Sequence, residues 1–442
     1  MTEAVDLLIH ADWVVPVEPH DTILRHHSIA IRNQRIVGLL KREETRGIRA
    51  EQELELPHHV LIPGLVNAHG HAAMSLLRGV ADDLPLQEWL QDHIWPLESE
   101  HVSEAFVSQG AELAIAEMLC GGTTCFTDMY FFPEAVAKMA LKAGMRVQLA
   151  SPVLDFPTVW AQNADEYIHK ATELHDSYRN SELIHTAFGP HAPYTVSDDP
   201  LRRIQTLAEE LDIPIHMHVH ETAGEVADAV AAIGKRPLAR LADLGLLGPR
   251  LVCVHATQLN DEEIAQLSHF NASVVHCPES NMKLASGFCE VARLLRAGIN
   301  VALGTDGCAS NNDLDMFSEM RTAALLGKAV AADATALPAA TVLRMATLNG
   351  ARALGLESLI GSLEPGKLAD ITAVNLEKWS TLPVYNPVSH LVYSASASQV
   401  SHVWIGGRAV LTEGKLQTLD PPKLRRHIAG WQELIQEQAC KM

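Results

Sequence analysis

Between residues 60 and 355 the chain repeats one texture eight times, and that repetition limits the fold more than any other feature. Short apolar runs lie at 60–67, 124–130, 146–153, 183–189, 214–221, 251–257, 273–278 and 300–306. Helix-like amphipathic stretches at 103–120, 133–143, 160–177, 198–211, 223–232, 261–269 and 313–329 separate most of the runs or follow the last. Strand then helix, eight times over, predicts an α/β fold, a (β/α)8 TIM-like barrel. Parallel strands buried on both faces should be almost continuously apolar, as Val252-Cys253-Val254 and Ile299-Asn300-Val301-Ala302-Leu303 are.

The flanks read differently. Residues 4–60 hold β signals at 6–10, 13–15, 28–31 and 35–39, with a turn at Arg32-Asn33-Gln34. β texture returns after 356, at 360–367, 369–374 and a hairpin over 400–410, before a helix at about 422–438. These segments predict a small β-sandwich domain built from both termini, residues 1–59 and 359–442, flanking a barrel of residues 60–358.

Apolar residues at 47% and charged residues at 20% describe a soluble globular chain with ample core material. A formal charge of −20 argues against a nucleic-acid backbone or an anionic membrane as partner, since both repel it. Seven scattered cysteines, Cys440 the last, contain no Cys-x-x-Cys pair and fit reduced thiols. Met1-Thr2-Glu3-Ala4-Val5-Asp6 is acidic where a signal peptide is basic, and no apolar run nears the ~20 residues of a membrane span. The expected location is the cytoplasm.

Barrel enzymes carry their functional side chains where the strands end. Run one ends in His69 and His71, run four in His191, run five in His216, His218, His220 and Glu221, run six in His255, and run eight in Asp306. In a chain of 23 histidines, one His-x-His pair is more often incidental than a ligand pair. Imidazoles and carboxylates at five strand ends are not, because the barrel brings all five to one mouth. His69 and His71, two residues apart in extended chain, project to the same side. With one histidine of run five and Asp306 they offer three nitrogens and an oxygen, a donor set for a divalent transition metal. Alternation alone does not choose among His216, His218 and His220.

Several longer stretches carry a family likeness. They are Pro63-Gly64-Leu65-Val66-Asn67-Ala68-His69-Gly70-His71, His191-Ala192-Pro193-Tyr194, His218-Val219-His220-Glu221-Thr222, His276-Cys277-Pro278-Glu279-Ser280-Asn281, Gly304-Thr305-Asp306-Gly307 and Gly361-Ser362-Leu363-Glu364-Pro365-Gly366-Lys367. Over essentially its whole length the chain resembles the amidohydrolase superfamily, and within it the 5'-methylthioadenosine/S-adenosylhomocysteine deaminases. The resemblance implies one divalent metal per chain, zinc or, as in some cytosine deaminases, iron, held by His69, His71, His218 and Asp306. It implies Glu221 as the proton carrier, His255 orienting the hydroxide, and Asp306 taking a proton from the metal's water. It leaves His216 and His220 as satisfied polar groups near the site. It also implies that Glu98 accepts the ribose hydroxyls and His191 contacts the purine, although on base rate Glu98 reads as a solvated helix-face carboxylate. Run four has no lysine to bridge two metals, which favours one.

The activity implied is hydrolytic deamination of the adenine ring of 5'-methylthioadenosine, with S-adenosylhomocysteine and adenosine as further substrates and a homo-oligomer as the family's habit. The alternatives are an aminohydrolase of a guanine, cytosine or triazine ring, a two-metal hydrolase of cyclic amides, and a non-catalytic scaffold, which typically loses metal ligands. The His-x-Glu and Pro-Cys-x-x-Cys pattern of base-editing zinc deaminases is absent. One departure bears on the substrate. Related deaminases often carry an arginine after the third strand for the homocysteine carboxylate, where this chain reads Leu149-Ala150-Ser151-Pro152-Val153, with Arg146 too early. That favours an apolar 5' tail, for which Trp89, Tyr130, Phe131 and Phe132 are candidate walls.

Overall fold

The computed structural model describes residues 4–84 and 88–439. Met1-Thr2-Glu3 and Cys440 lie outside them. Alternating apolar residues form β1 (Val5–Val14), β2 (Leu24–Arg32), β3 (Arg35–Lys41) and β4 (Ala50–Pro63). The near-continuous apolar runs form β5 (Leu65–Asn67), β6 (Thr123–Asp128), β7 (Arg146–Val153), β8 (Ile184–Pro190), β9 (Ile215–Val219), β10 (Leu251–His255), β11 (Ser273–His276) and β12 (Asn300–Leu303). Then come β13 (Ile371–Asn375), β14 (Val400–Ile405), β15 (Arg408–Thr412) and β16 (Lys415–Leu416).

β5 to β12 lie side by side in sequence order, and their pairings are parallel. The Ala68 amide donates to Leu303 O at 2.9 Å and the Asp306 amide to His69 O at 3.1 Å, joining last strand to first. Helices alternate with the strands close to where the amphipathic periods fall, and polar caps start several of them. Ser103, Asn163, Thr222 and Asn260 each accept a first-turn amide.

The terminal segments form one sheet in the order β16-β15-β14-β13-β4-β1-β2-β3. It folds over on itself: a Cβ added at Gly407 would lie 3.1 Å from Ile31, and Ile9, Ile29, Ile36, Ile371 and Trp404 share one core. Two sequence expectations need correction. The run at 60–67 is not a single barrel strand, because its first half ends β4 and pairs with β13. Gly64 makes the break, pressed so closely on Thr124 that a Cβ would lie 2.0 Å from its hydroxyl. Segment 360–367 holds turns rather than a strand, with Gly361 (φ 88°) and Gly366 (φ 95°) in the left-handed region.

A buried ion pair joins the sheet to the closed end of the barrel. Arg146, 1% exposed at the start of β7, donates from Nε and Nη2 to Asp370 at 3.1 and 3.2 Å. Asp370 also accepts the Gly406 amide at 2.8 Å. No described helix is long and apolar enough to cross a membrane.

Candidate metal centre and active site

The strand ends deliver the expected side chains to one cavity of about 550 Å³, walled in part by His71, His191, His218, Glu221, His255 and Asp306. His69 lies just beneath it, fully buried. His69 and His71 follow β5, His191 follows β8, His218 is the last residue but one of β9 with Glu221 beyond the strand, His255 closes β10, and Asp306 follows β12.

Whether these residues fit a metal is answered by where their spare lone pairs point. The Nδ1–H of His71 donates to Met129 O and that of His218 to His191 O, each at 2.7 Å. Nδ1 of His69 pairs with Nε2 of His216 at 2.8 Å. In His71 and His218 the neutral ring therefore carries its free lone pair on Nε2. Those atoms converge: His69 and His218 Nε2 are 3.3 Å apart, and Asp306 Oδ1 is 3.3 Å from His69 Nε2 and 3.2 Å from His71 Nε2. Lone pairs aimed at one another repel, and a cation among them reverses the sign. Three anchored imidazoles and a carboxylate oxygen thus fit one divalent transition metal, with the partners that orient such ligands already in place.

Asp306 is held with equal care. Its Oδ2 accepts the hydroxyls of Ser280 at 2.7 Å and Ser310 at 2.8 Å, and Oδ1 accepts the Gly307 amide at 2.9 Å. Its backbone is left-handed (φ 63°), as is that of His255 (φ 72°), and such strain in non-glycine residues gathers at functional sites. Gly304 lets the last strand approach the first, since a Cβ there would meet the His69 backbone at 2.8 Å. Removing both hydroxyls in Ser280→Ala/Ser310→Ala should weaken metal binding by about 10- to 100-fold. Competition with a chelator measures this, and unchanged affinity would remove the serines from the metal site.

The proton-handling groups face the same space. Glu221 Oε2 lies 3.9 Å from His255 Nε2. Glu225 fixes the Glu221 backbone by accepting the amides of His220 and Glu221 at 3.0 and 2.7 Å. Burial raises the Glu221 carboxyl above the usual range against the pull of His255, so it can carry a proton. His255 donates from Nδ1 to Asn281 Oδ1 at 2.8 Å, which leaves Nε2 facing the cavity as an acceptor. Burial lowers His191 to about 4, so its ring is neutral. Glu98, on the helix Trp95–His101, lines the same cavity and is pushed up to about 7 by burial, against a hydrogen bond from Tyr130 that lowers it.

His220 has a hydrogen-bond partner: its Nε2 accepts the Leu238 amide at 3.1 Å. His216 is more than that, since it holds His69 while its own Nδ1 has no partner among the described residues. Trp89, Tyr130 and Phe131 line the cavity, whereas Phe132 packs on the barrel core. Reading residues singly passed over Ser280, Asn281, Ser310, Glu225 and the Met129 carbonyl, which orient the groups that chemistry would use. For Ser280 and Asn281 a signal existed, because they close the His276–Asn281 motif.

Known proteins resemble this chain over most of its length. The chain is 53% identical over 437 residues to a 5-methylthioadenosine/S-adenosylhomocysteine deaminase of Saccharophagus degradans, covering 98% of this chain and 97% of the relative. It is 47% identical to a 5'-deoxyadenosine deaminase of Methanothermobacter thermautotrophicus, over 82% of this chain and 84% of that one. Its fold superposes on a crystal structure of an adenosine deaminase from Xanthomonas campestris with bound zinc, at a TM-score of 0.98 and 52% identity, covering 99% of this chain and all of the other. The amidohydrolase family profile matches residues 60–410. With that match spanning the barrel and its converging ligands, the chain belongs to the amidohydrolase family.

Proposed function

We propose that this protein hydrolytically deaminates adenine nucleosides with a small apolar 5' substituent, 5'-methylthioadenosine foremost. The observation that carries the reading is one cavity with a metal-fitting cluster at its floor, Glu221, whose carboxyl is raised by burial, beside it, and a second carboxylate, Glu98. The two relatives and the solved structure support it, each being named as a deaminase of adenosine or a 5'-modified adenosine. His69, His71, His218 and Asp306 would hold the metal, with zinc supported by the bound zinc of the Xanthomonas enzyme. When bound, such a cation lowers the pKa of its water from 15.7 to about 7.

The residues do the rest. Water adds to C6 of the ring while Glu221 gives its proton to N1, so the ring accepts the electron pair without building negative charge. Asp306 and His255 line the cavity and would accept the proton that the water gives up. Glu221, now a carboxylate, takes the proton of the C6 hydroxyl and relays it to the amino group, the C6–N bond breaks, and ammonia leaves the 6-oxo product. The first water proton passes back from Asp306 or from His255, the latter 3.9 Å away, to restore Glu221. His191 stays neutral and contacts the purine, and Glu98 accepts from the ribose hydroxyls.

The tail is read from the cavity's outer wall. Leu154, Phe156, Pro157 and Val159 line it with Trp89 and Leu90, and the described lining holds no lysine or arginine. Arg146, the nearest such residue in sequence to the third strand's end, is spent on Asp370. A homocysteine tail would bring a carboxylate into this wall unpaired, at a cost a methylthio group avoids. Six free cysteines among the described residues support a reducing, cytoplasmic setting.

Ammonia release from a panel of adenine nucleosides, guanine, cytosine and triazines tests this. 5'-Methylthioadenosine should exceed S-adenosylhomocysteine in kcat/KM by about tenfold or more, with no release from guanine or triazines. Ammonia from those rings alone would overturn the substrate class, and parity between the two nucleosides would overturn the tail assignment.

A further inference from the structure

The end of β6 and the two residues after it brace the site at three consecutive positions. Asp128 Oδ1 accepts the Ala72 amide at 2.6 Å, and Met129 O accepts from His71 at 2.7 Å. Tyr130 turns its hydroxyl the other way and donates to Glu98 Oε1 at 2.5 Å. A tail-pocket role would have exposed that hydroxyl to an apolar group. It is instead committed to the only carboxylate on the helix Trp95–His101 that lines the cavity. The ring is 5% exposed and fixed between His71, at 6.4 Å between centroids, and Phe131, at 5.3 Å.

We infer that Tyr130 is the positioning residue for ribose recognition, its hydroxyl orienting Glu98 so that the carboxylate accepts the vicinal 2'- and 3'-hydroxyls of the nucleoside. A glutamate side chain on a helix can adopt several rotamers, and one charge-assisted bond to a rigid phenol selects among them. The bond also favours the ionised form, which has four lone-pair positions and is acceptor-only. Burial alone works against that form, and the phenol, itself raised well above its ordinary pKa, stays a donor throughout the working range. The inference rests on the reading of Glu98 as the ribose ligand.

The test compares Tyr130→Phe, Glu98→Gln and the parent on 5'-methylthioadenosine and its 2',3'-dideoxy analogue, with metal content and kcat measured separately. Tyr130→Phe keeps the ring and its packing and removes only the donor. It should raise KM for the diol substrate by about 10- to 100-fold, change KM for the dideoxy analogue little, and leave metal content and kcat near parent values. Equal losses on both substrates, or a fall in kcat alone, would overturn the role of Tyr130. If Glu98→Gln selectively weakens the diol substrate while Tyr130→Phe does not, Tyr130 is excluded and the Glu98 reading survives. If Glu98→Gln makes no distinction between the substrates, the ribose reading itself falls.

Discussion

Replacing Glu221 with glutamine should leave the metal content intact and lower kcat by about 10²- to 10⁴-fold. Glutamine matches glutamate in shape and can keep the backbone bonds that Glu225 makes to this strand end. What it loses is a dissociable proton. The four groups proposed to hold the metal, His69, His71, His218 and Asp306, are untouched, so loading should not change. Metal analysis alongside single-turnover kinetics separates the two quantities. Near-normal turnover would exclude Glu221 as the proton carrier, and a parallel loss of metal would assign it a ligand-supporting role instead.

The largest effect on stability is expected at the floor of the barrel. Arg146→Met should destabilise the protein by about 3–5 kcal/mol, because it leaves Asp370 buried and charged without its guanidinium. The loss is not an argument that the pair is intrinsically strong. Desolvating both ions offsets much of their attraction, so most of the cost comes from stranding one partner. Adding Asp370→Asn to Arg146→Met should therefore recover part of the loss, while the Gly406 amide keeps an acceptor. Denaturant unfolding of the two single variants and the double variant gives the coupling, expected to exceed about 1 kcal/mol. Strictly additive losses would mean that the two residues do not act as a pair. Catalysis should change little once the variants are folded, since Arg146 sits at the start of β7 and the cavity lies at the other end.

The barrel was legible because its strands are buried on both faces. Nothing polar interrupts Val252-Cys253-Val254 or Val301-Ala302-Leu303, and caps such as Asn260 mark where helices begin. The metal cluster was legible for a related reason: strand ends reach one mouth by topology, so His69 and Asp306 can be matched across more than two hundred residues without coordinates. What sequence could not supply was orientation. Alternation put His216, His218 and His220 on one side, yet His218 turns to the centre, His216 backs His69, and His220, in a left-handed conformation, faces Leu238. Those differences arise from backbone angles and neighbours on other strands. Tyr130 illustrates the same gap, since an aromatic residue near a barrel mouth reads as packing until its hydroxyl is seen against Glu98. The break at Gly64 was hidden because an apolar run looks alike whether it serves one sheet or two.

The terminal sheet also sets an order on synthesis. β4 leads through Gly64 into the first barrel strand, yet its other neighbour, β13, pairs Ile371 with Pro63, roughly 300 residues later. At about 5–20 residues per second, the free edge of β4 waits on the order of 15–60 s for its partner to leave the ribosome. An unpaired edge is a template for association with other chains throughout that interval. Asp370, which anchors the sheet to the barrel through Arg146, emerges just before that partner strand. Closing the sheet is thus a late event in the birth of the molecule, and the barrel's first strand is tethered to a half-built sheet until it happens.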